Sequence, residues 1–428
     1  MSHSDYDVIV IGGGPAGAAA ATLLAQAGRR VLLLERHPTP PFKVGESLIP
    51  ATYDTLDRLG LIEELRRSHF PKKYSVQFFS GSGKASSPFY FHETDPSERS
   101  QTWQVLRSEL DAMLLANAGR QGVEVSTGTA VKEVLFEGDR AIGVRARSEG
   151  GETRELRSRV VVDASGQRAM IARELGLRRQ DPSLRMAAIY THFTGAQRDS
   201  GMDEGATLIL QSEGNRSWFW SIPLPEDRVS VGVVGPIDYL ISGRRGDPQA
   251  TFDEEMARCP GLVPRLAAAT QAMEVRVIND FSYTSERVAG DGWVLVGDAF
   301  GFLDPIYSSG VLLALKSGEL AADAIVAALA ADDPSAERLG VFEPRLRGGM
   351  ASFRQLIYAF YSPDFSFAHF LRRFPDHRRA VIDILVGNVF DRDFSALFKD
   401  LGQELESFPP AGAAMPETAV TVGAEPGA

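Results

Sequence analysis

At 428 residues, 44% of them hydrophobic and 24% charged, the chain is composed like a globular protein and is long enough for two intimately joined domains. Its formal net charge of −11 excludes the basic face that a nucleic-acid partner requires. The single cysteine, Cys259, cannot close an intramolecular disulfide, and the longest apolar run, 311–330, is interrupted by Lys316, Glu319 and Asp323. Neither an oxidising compartment nor stable membrane insertion is therefore expected.

The first element begins almost at once, leaving no room for a signal peptide, and a cytoplasmic protein is expected. Residues 8–11 are a β-branched run that reads as a buried strand. Gly12, Gly14 and Gly17 follow at G-x-G-x-x-G spacing around Pro15 and Ala16. An Ala/Leu-rich helix, a break at Gly28 and a second apolar strand over 31–34 lead to Glu35. Glycines at this spacing permit a tight turn, close approach of backbone to a pyrophosphate and close helix–strand contact. The helix start offers free N–H groups to phosphate, and the acid can accept from a ribose hydroxyl, so the stretch predicts dinucleotide binding.

A Pro- and Gly-rich loop over 36–50 carries Arg36 and Ser47 past the ligand, and a helix is expected from about 51 to 69. Residues 73–91 alternate like a strand broken at 81–83. A helix over 104–118, strands over 123–134 and 141–147 around a Gly138-Asp139 turn, and a buried strand over 160–164 follow. From 185 to 234 the pattern is β-rich and suggests an inserted antiparallel sheet. Residues 293–327 return to strand, turn and helix. A helical region rich in Phe and Tyr (Phe353, Tyr358, Phe360, Tyr361, Phe365, Phe367, Phe370) runs from about 336 to 405 and reads as core more readily than as a substrate roof. The last residues, 409–428, hold no Lys or Arg and are expected to be disordered. The seven histidines show no ligand spacing, so no metal is expected.

Arg107 and Asp111 in VLRSELD stand as Arg-x-x-x-Asp at a helix start, and residues 296–299 read V-G-D-A before another helix. With the glycine turn and Glu35, these segments resemble the FAD-dependent oxidoreductases of the aromatic-hydroxylase type, over nearly all of residues 5–330. The resemblance implies an α/β fold: a Rossmann-like FAD-binding domain (1–70, 101–180, 286–335), an inserted antiparallel β-sheet substrate domain (71–100, 181–285), a helical C-terminal region (336–408) and a tail (409–428). It also implies that Arg107 reaches the flavin or its phosphates and that Asp298 holds the ribityl chain. A second G-x-G-x-x-G between strand and helix is absent. Reduced flavin is therefore expected from a separate flavin reductase rather than from a briefly bound nicotinamide.

Three further stretches resemble the flavin-dependent halogenases of phenols and pyrroles. Residues 218–223 read W-x-W-x-I-P, and in that family the indoles of Trp218 and Trp220 would wall the flavin from the organic substrate. Residues 70–81 fit F-x-x-K-x-G-x-x-F-x-W-G with Ser75 and Ser80 as departures, expected to alter the substrate wall. The pattern marks Lys73 as the halogen-delivering residue, with Lys72 as the alternative if the register slips by one. The amine would act either neutral, as a nucleophile, or as the ammonium, by hydrogen bonding to hypohalous acid. Residues 304–310 read D-P-x-x-S-S-G, which places the backbone N–H groups of Ser309 and Gly310 at the flavin edge as a site for chloride or bromide. Tyr307 stands where tryptophan halogenases carry an acid, which points away from free tryptophan and toward a phenol- or pyrrole-like substrate, free or carrier-bound. A monooxygenase or a geranylgeranyl-reductase-like oxidoreductase on the same scaffold is the alternative.

Overall fold

The structure, a computed structural model, describes residues 5–406 except 94, 243, 245, 363 and 364, so the expected disordered tail lies outside the described residues. Five strands form a parallel sheet in the order Trp293–Leu295, Thr153–Asp163, Tyr6–Ile11, Val31–Leu34 and Glu124–Ser126. Val8–Ile11 and Val31–Leu34 are buried throughout, as continuous apolar runs should be in a sheet covered on both faces. The helices Pro15–Gln26 and Gly310–Ala330 pack closely enough that a Cβ on Gly318 would overlap the Ala16 carbonyl.

A second sheet runs in the order Thr270–Gln271, Met186–Thr194, Arg228–Pro236, Trp218–Pro223, Thr207–Gln211, Ser75–Phe79 and Phe89–Tyr90. It is mixed rather than wholly antiparallel. Ser75–Phe79 runs parallel to Thr207–Gln211 because it enters the sheet from the first domain and not through a hairpin. Side-chain alternation splits the sheet into two faces. Ile209, Trp218, Trp220 and Ile222 join the main core, whereas Leu208, Leu210, Phe219 and Val231 pack on Phe252 from the helix Pro248–Ala257. That helix was not anticipated. Its start is marked by Asp247, whose carboxylate accepts from the Gln249 and Ala250 amides, with Pro248 in the first turn.

Two further differences trace to single glycines. The helix expected over 51–69 is two, Thr52–Arg58 and Ile62–Arg66, because Gly60 turns the chain at φ +77°. The strand expected over 123–134 is also two. Glu124–Ser126 closes the parallel sheet, and beyond Gly128 the strand Thr129–Glu137 forms a hairpin with Arg140–Ser148. The strand expected over 160–164 reaches back to Thr153, and its first half pairs with that hairpin.

The C-terminal helices Glu343–Tyr361, Phe367–Arg373, Arg378–Val386 and Ser395–Glu406 lie against both sheets' shared core. Phe353, Phe360, Tyr361, Phe365 and Phe370 are buried there, as the core reading expected. No helix among the described residues is long and apolar enough to cross a membrane. Cys259 is buried, and burial pushes its thiol up to about 12.

Candidate active site

The carboxyl ends of the central parallel strands meet where the strand order reverses around Tyr6–Ile11, the place where open α/β sheets bind ligands. A cavity of about 440 Å³ lies there. Gly12, Gly14, Pro15 and Ala16 line it from the first turn, Glu35 and Arg36 from the end of the second strand, and Asp298 from beyond the strand Trp293–Leu295. Ser47, Arg107 and Gly310 complete that side.

The glycines have separate tasks. Gly12 holds φ +104°, and a Cβ there would overlap the Ala164 carbonyl; at Gly17 a Cβ would overlap the Gly12 carbonyl. Gly17 thus sits behind the turn rather than in the cavity wall. A Cβ on Gly14 would meet no atom within 4 Å, which leaves the helix start open to an approaching phosphate. Both Glu35 oxygens accept from backbone, Oε2 from Gly13 at 2.8 Å and Oε1 from His37 at 2.9 Å, fixing the carboxylate at the cavity wall. Arg36, Lys43, Arg107 and Arg168 bring positive charge to the wall. Arg107 is held by two bonds of 3.1 Å to Asp111 and one of 2.7 Å to the Val44 carbonyl. Burial lifts the Asp298 carboxyl to about 6, against the pull of Arg107 and Lys43. An open phosphate cradle, a ribose-facing acid and an apolar far end bounded by Tyr190, Ile209 and Trp220 fit FAD.

Beyond that far end lies a second, smaller cavity of about 30 Å³, holding Lys73. Alternation along the Lys72–Lys73 strand resolves the register: Lys72 is exposed and Lys73 is 0% exposed. The Lys73 amine donates to Ser47 Oγ at 2.8 Å and to the Leu48 carbonyl at 2.9 Å, and it stands 5.5 Å from the centre of the Phe91 ring. Among the described residues it forms no ion pair. Burial alone pushes its pKa down to about 7.

Thr207, Ile209 and Ser308 line both cavities and are the wall between them. Trp220 lines only the larger one, and its indole crosses Gly232, where any Cβ would overlap the ring. Trp218 lines neither. The Ser75 and Ser80 departures also lie outside both walls, contrary to expectation. The Ser75 hydroxyl donates to Asp203 at 3.0 Å, and Ser80 pairs with Ser82 in a turn. Gly310 lines the larger cavity and Ser309 neither; Ser309 stands at the start of the helix Gly310–Ala330 without a side-chain capping bond, and helix geometry leaves the first amides of that helix without intrahelical partners.

Two polar groups escaped sequence reasoning. Gln104 donates to Thr207 Oγ1 at 2.9 Å, and Thr207 meets Ser47 Oγ at 2.8 Å, so a chain of side chains links the wall to the lysine. Glu46, in the cavity wall, pairs with buried His192 at 2.7 Å, while its Oε2 has no partner among the described residues. Neither had a short-range signal, because each partner comes from the second sheet.

Residues 5–335 match the FAD binding domain family. The chain is 32% identical over 410 residues to the 1H-pyrrole-2-carbonyl peptidyl-carrier-protein chlorinase of Pseudomonas fluorescens, covering 91% of each. It is 30% identical to a tryptophan 2-halogenase of Chondromyces crocatus, covering 84% of this chain and 68% of that one. The solved structure of the flavin-dependent brominase Bmp2 superposes with a TM-score of 0.84 at 32% identity, over 94% of this chain and 99% of that chain. The chain belongs to the flavin-dependent halogenases, enzymes that use FAD and a halide ion.

Proposed function

We propose that this halogenase places chloride or bromide on an electron-rich pyrrole- or phenol-like ring, that the ring is presented on a carrier protein, and that Lys73 delivers the halogen. One observation carries the reading: a lysine amine with no counter-ion among the described residues, fully buried, one wall away from the cavity that fits FAD. Carrier presentation is supported by the pyrrolyl-carrier chlorinase among the relatives. When bound, reduced FAD from a separate reductase would supply, with O2, the oxidising power that turns halide into hypohalous acid. The Ser309 and Gly310 amides hold the halide beside it; Gly12, Gly14, Pro15, Ala16, Glu35, Arg36, Ser47, Arg107 and Asp298 hold the cofactor, while Gly17 only lets the turn close behind them. Residues 71–100 and 181–285 form the substrate-facing domain.

The hydrogen bonds of Lys73 favour the neutral amine of the two alternatives. Two acceptors, Ser47 Oγ and the Leu48 carbonyl, take the two N–H bonds of an uncharged amine and leave its lone pair free. An ammonium would keep a third donor against apolar walls. The amine takes halogen from hypohalous acid and gives up one proton, releasing water. The aromatic carbon then takes the halogen and returns its own proton to nitrogen. Because the lone pair is required, turnover should rise with pH through about 7, where half the amine is neutral. A cavity of about 30 Å³ holds roughly one water, so the ring enters only as half-buried lining side chains such as Phe78, Phe89 and Leu385 move aside.

The test is turnover with FAD, a flavin reductase, NADH and bromide. The substrates are pyrrole-2-carbonyl on a carrier protein, free pyrroles, phenols and tryptophan, with products read by mass spectrometry from pH 6 to 9. The reading expects brominated carrier-bound pyrrole in excess over every free ring. Bromination of free tryptophan alone would overturn the substrate class, and hydroxylated or reduced product indifferent to bromide would overturn halogenation itself.

A further inference from the structure

The first tryptophan of the W-x-W-x-I-P strand lines neither cavity, yet it is 1% exposed and its indole N–H has a designated partner. That partner is Tyr361, the last residue of the helix Glu343–Tyr361, which accepts from Trp218 Nε1 at 3.0 Å. A phenol has one proton to give. Tyr361 gives it to the carboxylate of Asp304, at 3.1 and 3.2 Å from its two oxygens. Asp304 opens the segment that ends at Ser309 and Gly310, and its Oδ1 also accepts from the Ile306 amide at 2.9 Å. Asp304 and Tyr361 are both buried, so each bond is made away from competing water.

The same helix grips this segment at a second point. Tyr307 donates to the Leu356 carbonyl at 3.1 Å, and its ring meets Phe360 edge-on, as does the ring of Trp218. The segment needs fixing, because Ser308 adopts φ +53°, a conformation that a non-glycine residue holds only where its surroundings impose it. Ser308 lies in the wall between the two cavities, immediately before the amides of Ser309 and Gly310.

We propose that Tyr361 is a positioning residue for halide. Held by Trp218 on one side and holding Asp304 on the other, it fixes the 304–310 segment so that the Ser309 and Gly310 amides converge on one point. This assigns the first tryptophan of the signature strand a role in building the halide site rather than in screening flavin from substrate. The inference rests on the halide reading given above.

The experiment compares wild type with Tyr361→Phe, which keeps the ring and removes only the hydroxyl, and with Trp218→Phe, which removes the indole N–H and leaves a smaller ring. In the bromination assay the bromide KM should rise about tenfold in Tyr361→Phe, with kcat at saturating bromide and the KM for the aromatic substrate within about twofold. Trp218→Phe should move the bromide KM in the same direction, and the double variant should show less than the product of the two effects because both act on one path. Broadening of the bromide NMR line by FAD-loaded protein reads halide binding without turnover. It should weaken in both variants even if no aromatic substrate is accepted, which separates this proposal from the halogen-delivery reading. Unchanged bromide KM and unchanged line broadening in folded Tyr361→Phe would overturn the proposal. If Tyr361→Phe fails to fold, the same result in Trp218→Phe would do so.

Discussion

Replacing Lys73 with methionine is expected to stabilise the folded chain by about 3 kcal/mol at pH 7. The amine's pKa lies at 10.5 outside the fold and about 7 inside it, a displacement equivalent to about 5 kcal/mol of disfavoured burial. Methionine fills a similar shape without a proton to lose. It leaves Ser47 Oγ and the Leu48 carbonyl without their donor, which returns about 1–2 kcal/mol of the gain. The sign fixes the pH window. The folded pKa lies below the unfolded one, so the penalty is absent above pH 10.5, grows as pH falls toward 7 and is full below it. The advantage of Lys73→Met should therefore be full at pH 7 and below, shrink as pH rises, and turn into a loss of about 1–2 kcal/mol by about pH 10.5. Urea unfolding at pH 7 and pH 10 measures it. A variant less stable than wild type at pH 7, or a difference that does not shrink with pH, would contradict the burial argument. A stabilising substitution at a functional position is the usual mark of a side chain retained for chemistry.

The glycine turn gives the second large effect, with two neighbouring positions behaving oppositely. Gly14→Val should leave the flavin-free fold within about 1 kcal/mol of wild type, since Gly14 has φ −72° and open space where its Cβ would project. That space is where a phosphate must come to reach the helix start, so FAD affinity should fall by about a hundredfold, near 3 kcal/mol. Gly12→Ala should instead damage the fold itself, because φ +104° and the Ala164 carbonyl both oppose a side chain. Flavin fluorescence titration and thermal unfolding on the same samples separate the two losses. Full FAD affinity in Gly14→Val would remove the phosphate from the proposed place.

These two sites were legible in the sequence for different reasons. The turn was legible because its requirements are local: strand, three glycines, helix and acid lie within thirty consecutive positions. The resemblance marked Lys73, with Lys72 as the alternative, and sequence alone could not separate the two. The separation comes from strand alternation, which turns one lysine outward and the other into a chamber. The chamber itself was not legible. Its wall residue Thr207 meets Ser47 across 160 positions, and His192 reaches Glu46 across 146, distances over which spacing carries no signal. Trp218 shows the converse. Period-2 alternation along a strand puts both indoles on one face, yet only the packed C-terminal helix determines that Trp220 meets the large cavity and Trp218 meets Tyr361. The Ser75 departure gained its meaning only with Asp203 in view, since the pair lies outside the substrate wall.

The central claim is that one buried amine, and not its exposed neighbour, carries halogen to the ring. The most direct measurement is the yield of brominated product per flavin oxidised, with reductase, NADH and bromide, for wild type, Lys73→Met and Lys72→Ala side by side. The account predicts a loss of about a thousandfold in Lys73→Met, with flavin oxidation continuing, and a yield within about twofold of wild type in Lys72→Ala. Brominated product from Lys73→Met at more than about a tenth of the wild-type yield would contradict it.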